Sequence, residues 1–128
     1  MRILLVMIGG FLGAICRFAL GEWLKANNGF PIGTLTINFI GCFFLGWFLT
    51  FMSHRNHKNS YVTLLLGTGF IGSFTTFSTF SIETIQLFEK GFVFLGLCYV
   101  LSSVFLGLLL VYLGSKLVFL DKKEGETI

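Results

Sequence analysis

The sequence is short of charge, proline and cysteine, and each shortage argues against a class of protein. Charged residues make up 12% of the 128 residues, about half the usual fraction in a soluble domain, which argues against a soluble enzyme. One proline and the lack of any low-complexity tract argue against disorder and collagen-like structure. Three cysteines in apolar surroundings do not form a secreted disulfide framework. The 55% of hydrophobic residues and the mean hydropathy of +0.87 are typical of a membrane protein.

The charges cluster at a few points, and the intervals between them are long enough to cross a bilayer. A transmembrane helix needs about 20 predominantly apolar residues. Four intervals meet this length and predict an all-α integral membrane protein with helices over residues 3–21, 32–52, 61–82 and 91–115. They form one transmembrane domain, residues 1–120, and the charged segment 121–128 is predicted to be a tail in water.

The basic residues are distributed unevenly between the two sides of this arrangement. Six basic residues share the side of the termini, against two opposite, when Arg17 inside the first helix is left out. Those on the side of the termini are Arg2, Arg55, Lys58, Lys116, Lys122 and Lys123, and those opposite are Lys25 and Lys90. Because basic loops tend to stay in the cytoplasm, both termini are predicted to lie inside the cell.

A bundle of four such helices has its centre filled by side chains. One copy therefore leaves little room for an aqueous path, and a transport function would need at least a dimer. Small residues that allow helix backbones to approach closely occur in every predicted helix. They include Gly9, Gly10, Gly13, Gly41, Gly46, Gly67, Gly69, Gly72, Gly96, Gly107 and Gly114. Most are expected to pack the monomer and a few to lie at a subunit interface.

The third helix carries the most unusual chemistry. Five hydroxyl residues occupy seven consecutive positions, directly after Gly69 and Gly72. They are Thr75, Thr76, Ser78, Thr79 and Ser81. Bonds back to the carbonyl of residue i−4 would explain one or two of these hydroxyls. Their density predicts a break of the helix in mid-membrane, where freed backbone groups face a cavity or an ion.

Phenylalanines recur every three residues through the same stretch. On a continuous helix, Phe74, Phe77 and Phe80 would lie along one face. One interpretation is that they face lipid. The other uses the positive edge of the aromatic ring, because ring edges beside hydroxyl donors form a weakly electropositive lining that suits an anion.

Other polar residues in the apolar segments are open to two interpretations each. Asn38 is either a hydrogen-bonding link between helices or a donor in a pore. Arg17 either extends to the interface or draws anions into a vestibule. Tyr99 and Ser103 share a helix face and either extend a polar track or bond neighbouring helices. Glu83 is expected to end the polar stretch of the third helix at a membrane surface.

Two further functions are disfavoured by what the segments lack. No carboxylate, lysine or histidine lies in the middle of a predicted helix, so no group is available to carry a proton across the membrane. A small multidrug transporter would match the size, but it needs a buried carboxylate within the first helix, and Glu22 lies only at its end. No nucleophile, general base or phosphate-binding loop indicates an enzyme.

Three motifs in order resemble those of the CrcB/Fluc fluoride ion channel family. Residues 9–17, GGFLGAICR, resemble the family's GGxxGAxxR. Residues 33–41, GTLTINFIG, resemble its GTLxxNxxG, and residues 69–80, GFIGSFTTFSTF, resemble its GFxGxxTTFSTF. The last motif is the most specific, and the resemblance covers nearly the whole chain.

This resemblance implies an antiparallel dimer with two pores along its interface and passive export of fluoride from a prokaryotic cell. The membrane would be the inner or plasma membrane, and no nucleic acid partner is implied. The residues that match the fluoride pore are Phe77, Phe80, Asn38, Ser78, Thr79, Tyr99 and Ser103. Arg17 matches a vestibule arginine, and Gly72 and Thr75 match positions whose backbone carbonyls hold a structural sodium ion at the dimer centre.

Departures from the family pattern and the basic bias leave alternatives open. Phe18 stands where many members have Tyr, and Gly107 where some have another serine. A dual-topology homodimer would have nearly balanced basic loops, so the chain could instead be one half of a heterodimer with an oppositely oriented homologue, inactive without that partner. A non-transporting membrane interaction protein would explain the helices and glycines but gives the TTFSTF cluster no role.

Overall fold

The computed structural model describes residues 1–25, 29–54 and 60–125, with side chains described as far as residue 120. Throughout these ranges the regular structure is helical, without strands. The helices are α1 (Arg2–Trp23), α2 (Ile32–His54), α3 (Ser60–Val62), α4 (Gly72–Phe74), α5 (Ser78–Glu89) and α6 (Val93–Gly125), with a π-helix over Thr63–Ile71. They provide four segments long and apolar enough to cross a membrane, which confirms the predicted count: Arg2–Trp23, Ile32–His54, Ser60–Glu89 and Val93–Leu120.

All four spans end later than the hydropathy pattern predicts, and two of them by more than a helical turn. The third span continues past residue 82 to Glu89, so Glu83 lies within α5 rather than at its end. Helix α6 continues past residue 115 to Gly125, so the backbone of the predicted tail is helical up to that residue. Hydropathy marks where apolar composition ends, whereas a helix continues until a breaker or a cap stops it. The loop residues Arg55 and Lys58 lie outside the described residues, and the predicted orientation stays a prediction.

A tight turn joins α5 to α6 and makes these helices antiparallel. Gly91 has a positive φ of 81°, a conformation that glycine adopts without a steric penalty. Its N–H donates to the Phe88 carbonyl at 3.0 Å, and the Phe92 N–H donates to the Leu87 carbonyl at 2.9 Å. These two bonds form a Schellman motif, which satisfies carbonyls at the end of α5.

Glycines set the two closest helix pairings. Between α2 and α6, a Cβ added at Gly46 would collide with the Val111 carbonyl, and one added at Gly114 would collide with the Phe43 carbonyl. The Ser115 hydroxyl donates to the Gly46 carbonyl at 3.3 Å across the same contact. These close approaches confirm that glycines pack the monomer.

Helix α1 packs on the π-helix and α4 in the same way. A Cβ added at Gly9 would collide with the Leu65 carbonyl, and one added at Gly13 would collide with the Phe70 carbonyl. The Ser73 hydroxyl donates to the carbonyl of Gly10 at 2.7 Å. Helix α1 therefore supports the part of the third span that precedes the hydroxyl cluster.

Gly13→Ala is expected to destabilise the protein, whereas Gly10→Ala leaves stability unchanged or slightly raised. Both glycines lie in α1, but an added Cβ meets nothing within 4 Å at Gly10 and meets the third span at Gly13. Forcing a methyl group into such a contact costs about 1–3 kcal/mol. Unfolding by heat or denaturant in detergent measures both variants, and equal stabilities would contradict the packing described for Gly13.

The buried core lies at the level where the third span is interrupted. Tyr99 of α6 is 0% exposed, Ile37 of α2 is 2% exposed and Phe74 at the end of α4 is 5% exposed. Thr76, between α4 and α5, is also buried. The fold thus surrounds an irregular backbone segment with side chains from α2 and α6.

Candidate functional site at the interrupted third span

The third span is not a continuous helix. Helix α4 ends at Phe74, α5 begins at Ser78, and Thr75 between them has extended backbone angles of φ −75° and ψ 155°. The Thr75 N–H still donates to the Ile71 carbonyl at 3.1 Å, so the helical pattern is lost only after this residue. An interruption of this kind leaves backbone groups that need other partners.

Asn38 of α2 supplies two of those partners. Its Nδ2 donates to the Thr76 carbonyl at 2.9 Å, and its Oδ1 accepts from the Thr76 N–H at 2.8 Å. The side-chain amide therefore replaces both helical hydrogen bonds of one buried residue. Of the two interpretations of Asn38, this geometry supports the link between helices.

The five hydroxyl residues divide into two groups. Thr75 and Ser81 donate back to the carbonyls of Ile71 at 3.1 Å and Phe77 at 2.9 Å, which is the ordinary behaviour of hydroxyls in membrane helices. The other three, Thr76, Ser78 and Thr79, form a cluster at the start of α5.

Thr76 is the centre of this hydroxyl cluster. Its Oγ1 donates to Thr79 Oγ1 at 3.1 Å, lies 3.4 Å from Ser78 Oγ and accepts from the Thr79 N–H at 3.2 Å. The last bond satisfies an N–H in the first turn of α5, where intrahelical acceptors are missing. Ser78 is exposed on the surface of the chain, so the cluster extends from the core to the surface.

Two backbone carbonyls are freed by the same arrangement. In a continuous helix the N–H groups of Thr76 and Thr79 would donate to the carbonyls of Gly72 and Thr75. Here the Thr76 N–H donates to Asn38 and the Thr79 N–H donates to Thr76 Oγ1. Carbonyl oxygens are suitable ligands for a hard cation, so the residues present fit the expected role of Gly72 and Thr75.

The phenylalanines of the motif do not lie along one face, which corrects the expectation from their spacing. Phe74 is buried and stacks on Phe70 at a centroid distance of 6.0 Å, whereas Phe77 is 79% exposed. The reason is the interruption at residues 75–77, because the angular spacing of three residues holds only within one helix.

Phe77 and Phe80 instead begin a row of aromatic rings that enters the core. The ring centroid of Phe80 lies 5.9 Å from that of Phe77 and 5.0 Å from that of Tyr99. Phe30 meets Tyr99 edge to face at 5.7 Å. Most predicted pore residues are thus brought together, with the hydroxyl cluster at the start of α5 and the aromatic row next to it.

Glu83 joins three helices beside this row. Its Oε1 accepts from Thr34 Oγ1 of α2 at 2.8 Å, and its Oε2 accepts from the Tyr99 hydroxyl of α6 at 2.8 Å. Sequence reasoning missed Thr34 and the bonds that Glu83 accepts from Thr34 and Tyr99. For Glu83, the sequence did contain a signal that it belongs to the site: its i, i+4 spacing from Thr79 places both residues on one face of α5.

Two predicted site residues, Ser103 and Arg17, have less direct roles in the site. The Ser103 and Ser102 hydroxyls both donate to the Tyr99 carbonyl, at 2.7 and 3.1 Å, so their hydrogens are committed to their own helix. Arg17 is half-buried in α1, and within the described part of the chain it has no ion pair. It also has no hydrogen bond to the hydroxyl cluster among these residues.

A cavity that several polar and charged side chains line leads to the site from the end where α1 and α2 are connected. It has a volume of about 390 Å³, and its walls include Thr34, Thr79 and Glu83. Lys90 and the Glu22–Lys25 ion pair, 2.7 Å between Nζ and Oε1, lie at its charged rim. We call this cavity the vestibule. Acidic and basic side chains both line it, an arrangement that the sequence alone does not reveal.

Comparison with known proteins identifies the family. Residues 4–115 match the family described as "CrcB-like protein, Camphor Resistance (CrcB)". A protein of Oceanobacillus iheyensis named "Fluoride-specific ion channel FluC" is 52% identical over 125 residues, covering 98% of this chain and 97% of the relative. One of the same name from Dehalococcoides mccartyi is 42% identical over 128 residues, covering 98% of each chain. The chain therefore belongs to the CrcB-like protein family.

Proposed function

We propose that this chain, a multi-pass prokaryotic membrane protein and not an enzyme, is the subunit of a fluoride-selective passive channel. The observation that carries the proposal is the meeting of a hydroxyl cluster with a row of aromatic rings at an interrupted membrane helix. The relatives named as fluoride-specific ion channels support the same assignment. Export of fluoride would protect the cell, and the inner or plasma membrane is its expected location.

The chemistry of the site suits a small, strongly hydrated anion. Fluoride can leave water only where donors of comparable strength replace its hydration shell. Hydroxyl groups of Ser78 and Thr79 are such donors, and their hydrogens rotate to suit a new acceptor. The ring edges of Phe77 and Phe80 add weak positive potential without a full charge that would hold the ion in place.

The fluoride path would run from the vestibule, through the hydroxyl cluster and along the aromatic row. Thr79 would pass an ion from the vestibule to the hydroxyl cluster, because Thr79 lines the cavity and also bonds to Thr76. Tyr99 and Ser103 would continue the polar track along α6, Ser103 by rotating its hydroxyl hydrogen away from the Tyr99 carbonyl. The ring of Tyr99 contacts the ring of Phe80. Arg17 would act at a distance by raising the local concentration of anions.

Two antiparallel copies would complete the pores. Phe77 is 79% exposed, and Gly72 and Ser78 are also exposed, so these residues of the proposed ion path lie on the outside of a single chain. A second copy placed against this surface would enclose them and form two equivalent pores. The partner is a second copy of the chain or an oppositely oriented homologue, as the uneven basic residues allow.

A structural sodium ion would stabilise the dimer centre through the carbonyls of Gly72 and Thr75. Two copies would present four such oxygens to one ion. Replacing sodium by N-methyl-D-glucamine at constant ionic strength is therefore expected to abolish fluoride flux, and returning sodium is expected to restore it. Flux that is indifferent to sodium would remove the ion from the proposal.

Fluoride resistance of cells is the first test of the function. A bacterial strain without its own fluoride exporter is transformed with this gene or with an empty vector and grown at increasing fluoride concentrations. The chain is expected to restore growth in fluoride, without changing growth in an equal concentration of chloride. No gain in resistance, despite protein in the membrane fraction, would contradict the proposal for the chain acting alone.

A further inference from the structure

A second cavity lies among α1, α2 and the first half of the third span, and it differs in character from the vestibule. Its volume is about 370 Å³, and apolar side chains form its walls, including Phe44, Phe48, Phe70 and Phe74. Among the described residues that line it, none is charged, and their polar side-chain groups are the thiol of Cys16 and the indole N–H of Trp47.

This cavity is separate from the proposed ion path. None of the exposed residues assigned to the pore or to the dimer centre, Gly72, Phe77 and Ser78, lines it. Its inner wall is the stacked pair Phe70 and Phe74, whose ring centroids lie 6.0 Å apart. The cavity therefore contacts the third span in the turn directly before the interruption.

The cavity opens on the outer surface of the membrane spans. Three residues of its walls are well exposed: Phe44 at 50%, Trp47 at 38% and Leu66 at 39%. Phe44 and Trp47 lie in the middle turns of α2, far from both of its ends. In a membrane-spanning helix, surface at this depth that no second copy covers faces hydrocarbon, so the opening would be continuous with the lipid phase.

We propose that this cavity binds an acyl chain of a bilayer lipid. Apolar cavities exclude water and accept apolar molecules, and a cavity of roughly 150 Å³ already holds a benzene-sized ligand. The cavity here is more than twice as large, and the bilayer supplies acyl chains at its mouth. The bound chain would press on the ring of Phe70 and thereby stabilise the turn before the interruption.

The test uses photo-crosslinking in liposomes. The full chain is reconstituted in phosphatidylcholine that carries a diazirine in the middle of one acyl chain, irradiated, and digested for mass spectrometry. Adducts are expected on the wall residues Cys16, Leu66 and Phe70. Cys16→Phe should fill the cavity and remove the adducts on Leu66 and Phe70. The matched control Ile15→Phe, one position away and exposed, should leave them in place.

Leu20→Phe serves as a second filling variant if Cys16→Phe does not fold. The proposal is overturned if Leu66 and Phe70 stay unlabelled while exposed Phe11 is labelled, or if their labelling is the same in the filling variant. It is also overturned if oxidation joins Cys16 of two copies while wall adducts are missing, because a second copy would then cover this face.

Discussion

Replacing Phe80 with isoleucine is expected to reduce fluoride flux by at least about 100-fold, equivalent to roughly 2.7 kcal/mol of added barrier. Phe80 lies within the aromatic row, with its ring centroid 5.9 Å from that of Phe77 and 5.0 Å from that of Tyr99. Isoleucine keeps the apolar character but has no ring, so the electropositive edge beside the hydroxyl cluster is lost.

The control for Phe80→Ile is the same substitution at Phe94, which is 76% exposed in α6. Flux through liposomes is measured for both variants, and gel filtration in detergent monitors their assembly. Phe94→Ile is expected to conduct normally, and both variants should elute like the parent protein. Normal flux through Phe80→Ile would remove its ring from the mechanism.

Replacing Asn38 with leucine is expected to be the most destabilising change near the site. Leucine has a similar volume but cannot pair with Thr76, whose N–H and carbonyl bond the Asn38 amide at 2.8 and 2.9 Å. Each buried backbone group left without a partner costs about 1–3 kcal/mol, so a total loss of roughly 2–6 kcal/mol is expected. Flux should be lost as well, because the start of α5 is no longer held.

Hydrogen–deuterium exchange distinguishes this effect from general unfolding. Asn38→Leu should accelerate exchange of the amides at residues 75–79 and leave the middle of α1 protected. Asn38→Asp keeps an acceptor for the Thr76 N–H and should protect that amide better than leucine does. If Asn38→Leu exchanges and conducts like the parent protein, Asn38 does not hold the interruption together.

The spans were predictable from sequence because uncharged, apolar intervals of bilayer length are the main requirement for a membrane-crossing helix. The residues at which the spans end were less predictable. The third span continues past Glu83 to Glu89, and hydroxyls of Thr34 and Tyr99 bond both oxygens of Glu83. Hydropathy reflects the charge of a residue and not the partners that a distant helix brings to it.

The composition of the site was partly predictable from the sequence. The density of hydroxyls at residues 75–81 exceeded what back-bonding explains, and Thr76, Ser78 and Thr79 do form a separate cluster. The spacing of Phe74, Phe77 and Phe80 was misleading, because the interruption rotates Phe77 away from the buried side of Phe74. The partner of Asn38 and the role of Thr34 depend on contacts across the bundle, which a single sequence does not reveal.

The most direct test of a fluoride channel is fluoride efflux from liposomes that contain this single purified chain. A fluoride electrode records efflux after a potassium ionophore is added, and chloride-loaded liposomes are the control. Fast, ionophore-dependent efflux of fluoride is expected, without efflux of chloride. No efflux from folded protein, either alone or together with an oppositely oriented homologue, would contradict the proposed channel.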